Sequence, residues 1–153
     1  MKKLVCFLIV PFIVLVLASL SMSSGVEPIV LITAEEAAAP DLDPAEWHLE
    51  VSRTDEGPEI QVLSPHMGAS VKKPVSIDVR FIKGEKEIDL STIKLEYLKF
   101  LTIDLTPRVK DYLTKDGVKV PNVNLPSGTH TIRLSVGDVD GAVTKQVFTF
   151  EVI

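Results

Sequence analysis

Pro74-Val75-Ser76-Ile77-Asp78-Val79-Arg80-Phe81 is the stretch that decides the fold. Val75, Ile77, Val79 and Phe81 alternate with Ser76, Asp78 and Arg80. Successive side chains of a strand point to opposite faces, so a period of two with one apolar face predicts a half-buried β-strand. The same period recurs on both sides of it. Upstream, Ile60 and Val62 alternate with polar neighbours until Ser64-Pro65 ends the run. Downstream, Lys83-Gly84-Glu85 is a turn, and Ile93, Leu95 and Tyr97 alternate with Lys94 and Glu96. His130, Ile132, Leu134 and Val136 then alternate with Thr131, Arg133 and Ser135. Asp138-Val139-Asp140-Gly141 has hairpin-turn chemistry, and Phe148, Phe150 and Val152 carry the last strand. Turn signals spaced by roughly 10 to 20 residues fit an all-β sandwich.

Two segments break the pattern. Thr106-Pro107-Arg108-Val109 through Leu113 reads as a short helical insert capped by Thr106, with Pro107 at the first position. Pro121 and Pro126 mark Val118 to Leu125 as an edge strand at best. The run from Leu95 to Leu105 is apolar on both parities, which predicts a central strand covered by another part of the chain. The other reading of that run is an exposed docking patch.

The chain divides into three parts: residues 1–25, 26–58 and 59–153. Of the 70 apolar residues, 17 fall in the first 25. Lys2 and Lys3 precede an apolar run from Leu4 to Ala18, and small residues follow it to Gly25. This is the form of a secretory signal peptide, cleaved after Ser23 or after Gly25. The alternative is an uncleaved N-terminal anchor, and either way the rest of the chain is exported, to the periplasm or beyond. Cys6, the one cysteine, lies in this leader, so the exported part has no disulfide or thiol chemistry. Beyond the leader stand 14 basic and 21 acidic residues, a net charge of −7. That balance excludes a nucleic-acid surface, which needs a basic patch. It equally disfavours docking on anionic lipid, and membrane contact is expected only if the leader stays on the chain.

Residues 26–58 read as an N-terminal arm. Thr33 and Glu36 have capping-box spacing ahead of Ala37-Ala38-Ala39, and Asp43-Pro44 opens a second helical turn. Ile29 to Ile32 form a short strand or an apolar peg, and Trp47 anchors the arm on the domain.

Residues 59–153 resemble bacterial immunoglobulin-like domains, related to fibronectin type III and cadherin modules. The residues that carry the resemblance are Ser64-Pro65 with Gly68 and Val71, and the Pro74–Phe81 strand. Asp89-Leu90-Ser91-Thr92-Ile93, Leu125-Pro126-Ser127-Gly128-Thr129 and Val136-Gly137-Asp138-Val139-Asp140-Gly141 complete them. The resemblance implies a single immunoglobulin-like sandwich of the kind found in small exported bacterial proteins. It implies no activity, since this fold hosts many functions. The helical insert and the lack of tandem copies depart from the pattern.

A search for chemistry yields weak signals. His48, His66 and His130 lack metal-ligand spacing; His130 has inward parity and His66 lies in a turn. There is no glycine-flanked serine elbow and no phosphate-binding glycine loop. Parity buries Phe81, Tyr97, Phe148 and Phe150, which leaves Trp47, Phe100 and Tyr112 as candidate sugar platforms. Asp138 and Asp140 are a fragment of a calcium loop, although the same residues suit a tight turn. The expectation is a non-enzymatic interaction or structural module without cofactors, acting on an envelope or cell-surface protein. The alternative is a binder of carbohydrate or calcium.

Overall fold

The structure, a computed structural model, describes residues 28–48 and 57–153, without the side chains of Trp47 and His48. The leader, Cys6 and the anchoring role of Trp47 lie outside the described residues. The arm contributes β1 (Ile29–Val30), α1 (Ala34–Ala38) and α2 (Pro44–His48). Then follow β2 (Glu59–Ser64), β3 (Ser70–Val71), β4 (Val75–Ile82), β5 (Ile88–Tyr97) and β6 (Ile103–Asp104). The insert is α3 (Thr106–Val109) with a 3-10 turn over Lys110–Tyr112, leading to β7 (Leu113–Thr114). The last strands are β8 (Gly117–Asn124), β9 (Gly128–Asp138) and β10 (Val143–Val152).

These strands form an all-β sandwich of two sheets. One runs β1-β8-β4-β2, with β7 also on β8; the other runs β3-β10-β9-β5-β6. Two pairings are parallel, β1 on β8 and β3 on β10, and the rest are antiparallel. The alternation read in the sequence is what the core uses. In β4, Val75, Ile77, Val79 and Phe81 are buried while Ser76, Arg80 and Ile82 are exposed. Facing them across the core stand Ile132, Leu134, Phe148 and Phe150 from β9 and β10, all buried. Each buried aliphatic or aromatic side chain contributes roughly 1.5–3 kcal/mol over leaving it in water.

Three expectations change. The strand through Pro121 has neighbours on both sides: β4 on one, β1 and β7 at opposite ends of the other. Pro121 is tolerated because it lies at a register shift between Val120 and Val123, beside Asn122 at φ 52°. A bulge leaves a residue without a ladder bond, so the missing N–H costs nothing there. Second, Thr106 does not cap the insert. Its hydroxyl accepts from the Leu95 amide at 3.0 Å, and Leu105 occupies the cap position without a side-chain bond. Third, the run from Leu95 to Leu105 is not one strand. Leu95, Tyr97, Leu98 and Leu105 are buried, while Phe100 and Leu101 are exposed in a loop.

The arm is part of the sandwich. Leu31 and Ile32 are buried in the core beside β1. Thr33 and Glu36 make both capping-box bonds, at 2.9 and 3.2 Å. The Asp43 carboxylate accepts from the Ala45 amide at 2.9 Å as α2 begins.

Candidate functional site where the arm meets the sandwich

At one end of the sandwich, β5 stops at Tyr97 and β9 begins near His130. The loop of residues 98–102 crosses this end, and the arm lies against it. Leu98 donates its amide to the Thr131 carbonyl at 2.9 Å, and Phe100 donates to the Pro40 carbonyl at 2.8 Å. Asp41 and Lys99 form an isolated antiparallel bridge. The loop is thus fixed to both β9 and the arm. It carries Phe100 and Leu101 outward, 72% and 75% exposed.

Beneath the loop lies a chain of polar groups. The Lys99 side chain is buried, and its ammonium reaches the Asp41 carboxylate at 2.5 Å. The same ammonium stands 5.2 Å from the Tyr97 ring centroid. The Tyr97 hydroxyl is 3.1 Å from His130 Nδ1, and His130 Nε2 is 2.9 Å from the Pro126 carbonyl oxygen. Tyr97 and Phe150 flank the imidazole at ring separations of 5.7 and 5.6 Å. Burial pushes the Tyr97 hydroxyl above its ordinary range and His130 below its own. Burial also works against the Lys99 charge, but the Asp41 carboxylate and the neighbouring Tyr97 hydroxyl outweigh it and leave Lys99 raised. Buried polar groups need partners, and here each has one.

A second contact locks the arm to the insert. Arg108 donates to both Glu36 carboxylate oxygens, at 2.6 and 2.7 Å, and to the Leu31 carbonyl at 2.7 Å. The Arg108 hydrogen bonds hold the Glu36 carboxyl at about 2, far below its usual 4.5.

The residues singled out in the sequence do not converge. Phe100 is exposed. Tyr112 is half-buried, packs on the core, and lines a shallow depression with Asp78, Arg80 and Asp116 that does not include Phe100. Asp138 and Asp140 share one turn but serve different partners. Asp138 is buried and accepts from the amides of Asp140 and Ala142 at 3.0 and 2.9 Å. Asp140 is exposed and pairs with Lys86 at 3.1 Å. One Asp138 carboxylate oxygen, Oδ1, thus serves the turn itself. His66 is exposed, and His130 is a core histidine. The sequence reading passed over Lys99 and Asp41. A lone lysine between Leu98 and Phe100 was the available signal, since a charge within an apolar run needs a buried partner.

No family model matches this chain, and no curated protein matches it. Among solved structures, an endo-β-1,4-mannanase from Thermotoga petrophila aligns at a TM-score of 0.46 and 13% identity. That alignment covers 65% of this chain and 20% of the mannanase. The dimeric latent PorU from Porphyromonas gingivalis aligns at a TM-score of 0.48 and 18% identity, over 72% of this chain and 11% of its own. The chain spans a small fraction of either protein, and neither likeness bears on function.

Proposed function

We propose that the chain is a non-enzymatic exported protein-interaction module, built on an immunoglobulin-like sandwich. The immunoglobulin-like reading is supported by chain path. The first sandwich strand starts in one sheet as β2, crosses to the other as β3, and there pairs in parallel with the final strand. The export reading rests on the leader, Lys2 to Gly25.

The observation that carries the interaction reading is the display of Phe100 and Leu101 on a loop tied down on both sides. An apolar pair on a fixed loop is ordered before binding, so little entropy is lost on docking. Two side chains are far smaller than the roughly 800 Å² per partner of a stable interface. They suit anchors seated in a partner's pocket better than a flat self-association surface, and the partner is a protein of the cell envelope.

A photo-crosslinking side chain at position 100, in cells, tests this. A discrete crosslinked protein, lost when Leu101→Ser is added, is the expected result. No crosslink in cells where the chain is folded and exported overturns it.

A further inference from the structure

We propose that His130, Tyr97, Lys99 and Asp41 form an acid-sensitive latch, in which protonation of His130 expels the Lys99 ammonium and frees the loop of residues 98–102 together with the arm around Asp41. His130 Nε2 faces a carbonyl oxygen, that of Pro126, so it carries the hydrogen. A neutral ring then presents a lone pair at Nδ1, which accepts from the Tyr97 hydroxyl. The Lys99 ammonium stands 5.2 Å from the Tyr97 ring centroid and donates to Asp41. From the Pro126 carbonyl to the Tyr97 hydroxyl, donors and acceptors match in one direction only.

A proton on Nδ1 breaks the match. It turns the Nδ1 acceptor into a donor and leaves the Tyr97 hydroxyl hydrogen without its acceptor, beside the Lys99 ammonium. It also adds charge where His130 is 1% and Lys99 3% exposed. The groups facing the imidazole cannot compensate. The loop offers Lys99, the β3–β4 turn Lys73, and the arm Asp41. Strand β10 offers the Phe150 ring, β5 the Tyr97 hydroxyl, and the β8–β9 turn the Pro126 carbonyl. Glu36 of α1 bears on Tyr97 only at longer range.

His130 cannot leave, because β9 is paired on both sides. Lys99 can leave: it sits on a loop at the end of a flexible stem, and the Asp41 side chain is already 78% exposed. Burial, which holds His130 below its ordinary range, places the event on the acid side of neutrality. The Glu36–Arg108 bond persists, because Glu36 stays ionised down to about 2. The arm is therefore hinged at Arg108 rather than shed. The latch needs no partner on Phe100.

Hydrogen-exchange protection factors of the purified full chain, between about pH 7.5 and 5, test it across the histidine range. Protection of the Phe100 amide should fall by up to about tenfold per pH unit once His130 titrates. The Ala37 amide, bonded to the Thr33 carbonyl, should not follow. In His130→Gln the fall at Phe100 should vanish. Protection independent of pH in the unmodified chain, or a fall that survives in His130→Gln, overturns the latch. Ring nitrogen shifts of the unmodified chain give a test that needs no variant. The hydrogen is expected on Nε2 at neutral pH, and finding it on Nδ1 overturns the latch.

Discussion

Glu36 and Arg108, 72 residues apart, meet through two hydrogen bonds between one carboxylate and one guanidinium. This paired geometry is the strong form of a charged contact, because the planar fork matches the carboxylate. It joins the arm to the insert, the two parts a plain sandwich lacks. Arg108→Ala should lower the unfolding free energy by about 2 kcal/mol, the size expected for hydrogen bonds to charged groups. Urea denaturation at neutral pH measures it.

Acid should act on the same pair. Glu36 holds its proton more weakly folded, at about 2, than at its ordinary 4.5. Between those values the unfolded chain binds more protons, so stability rises with pH there. The contribution is complete above about pH 4.5, declines as pH falls, and is gone below about 2. Glu36→Gln should therefore show a flatter loss of stability than the unmodified chain through that window, read as melting temperature against pH.

Leu31 and Ile32 precede the first strand of the main domain by almost thirty residues, yet both are buried in its core. Leu31→Ala should cost about 2–5 kcal/mol, the range for emptying a packed aliphatic site. A cost below about 1 kcal/mol in chemical denaturation would show that the arm is not part of the core.

Gly117 opens β8 at φ +147°, where an added Cβ would lie 2.0 Å from the Val79 carbonyl oxygen. That atom is backbone and cannot step aside. Gly117→Ala should cost more than about 2 kcal/mol, since overpacking adds to an unfavourable backbone angle. Gly141, at φ +89° with open space around it, should tolerate alanine at about 1 kcal/mol. Equal melting temperatures for the two variants would refute the close approach.

Asp138 and Asp140 should separate in the same way. Asp138→Ala strips two backbone amides of their acceptor and should cost about 1–3 kcal/mol. Asp140→Ala removes an exposed ion pair and should change stability by less than about 0.5 kcal/mol. Thermal unfolding of the two single variants distinguishes them.

What the sequence discloses depends on range. Alternation in Val75–Phe81 and in His130–Val136 is a local consequence of strand geometry, so it predicts which aromatic rings are buried. The Thr33–Glu36 capping box and the Asp43 turn are equally local, spanning three residues or fewer. The exposure of Phe100 did not follow from alternation, because the run from Leu95 to Leu105 is apolar on both parities and reads equally as a covered strand. Local reading failed at Thr106, whose hydroxyl serves the Leu95 amide eleven residues away. It failed at Pro121 because two short strands from distant parts of the chain complete that neighbourhood.

The sequence by itself therefore determined the class of this protein: strands of period two, a helical insert, a short arm and an acidic composition. Only the tertiary structure decided that the arm supplies core side chains, that Arg108 answers Glu36, and that Lys99 is buried against Asp41, Tyr97 and His130. The reason is physical. A strand's period is set by bonds along the chain, whereas the partner of a buried charge is set by whichever distant segment the packed core brings beside it.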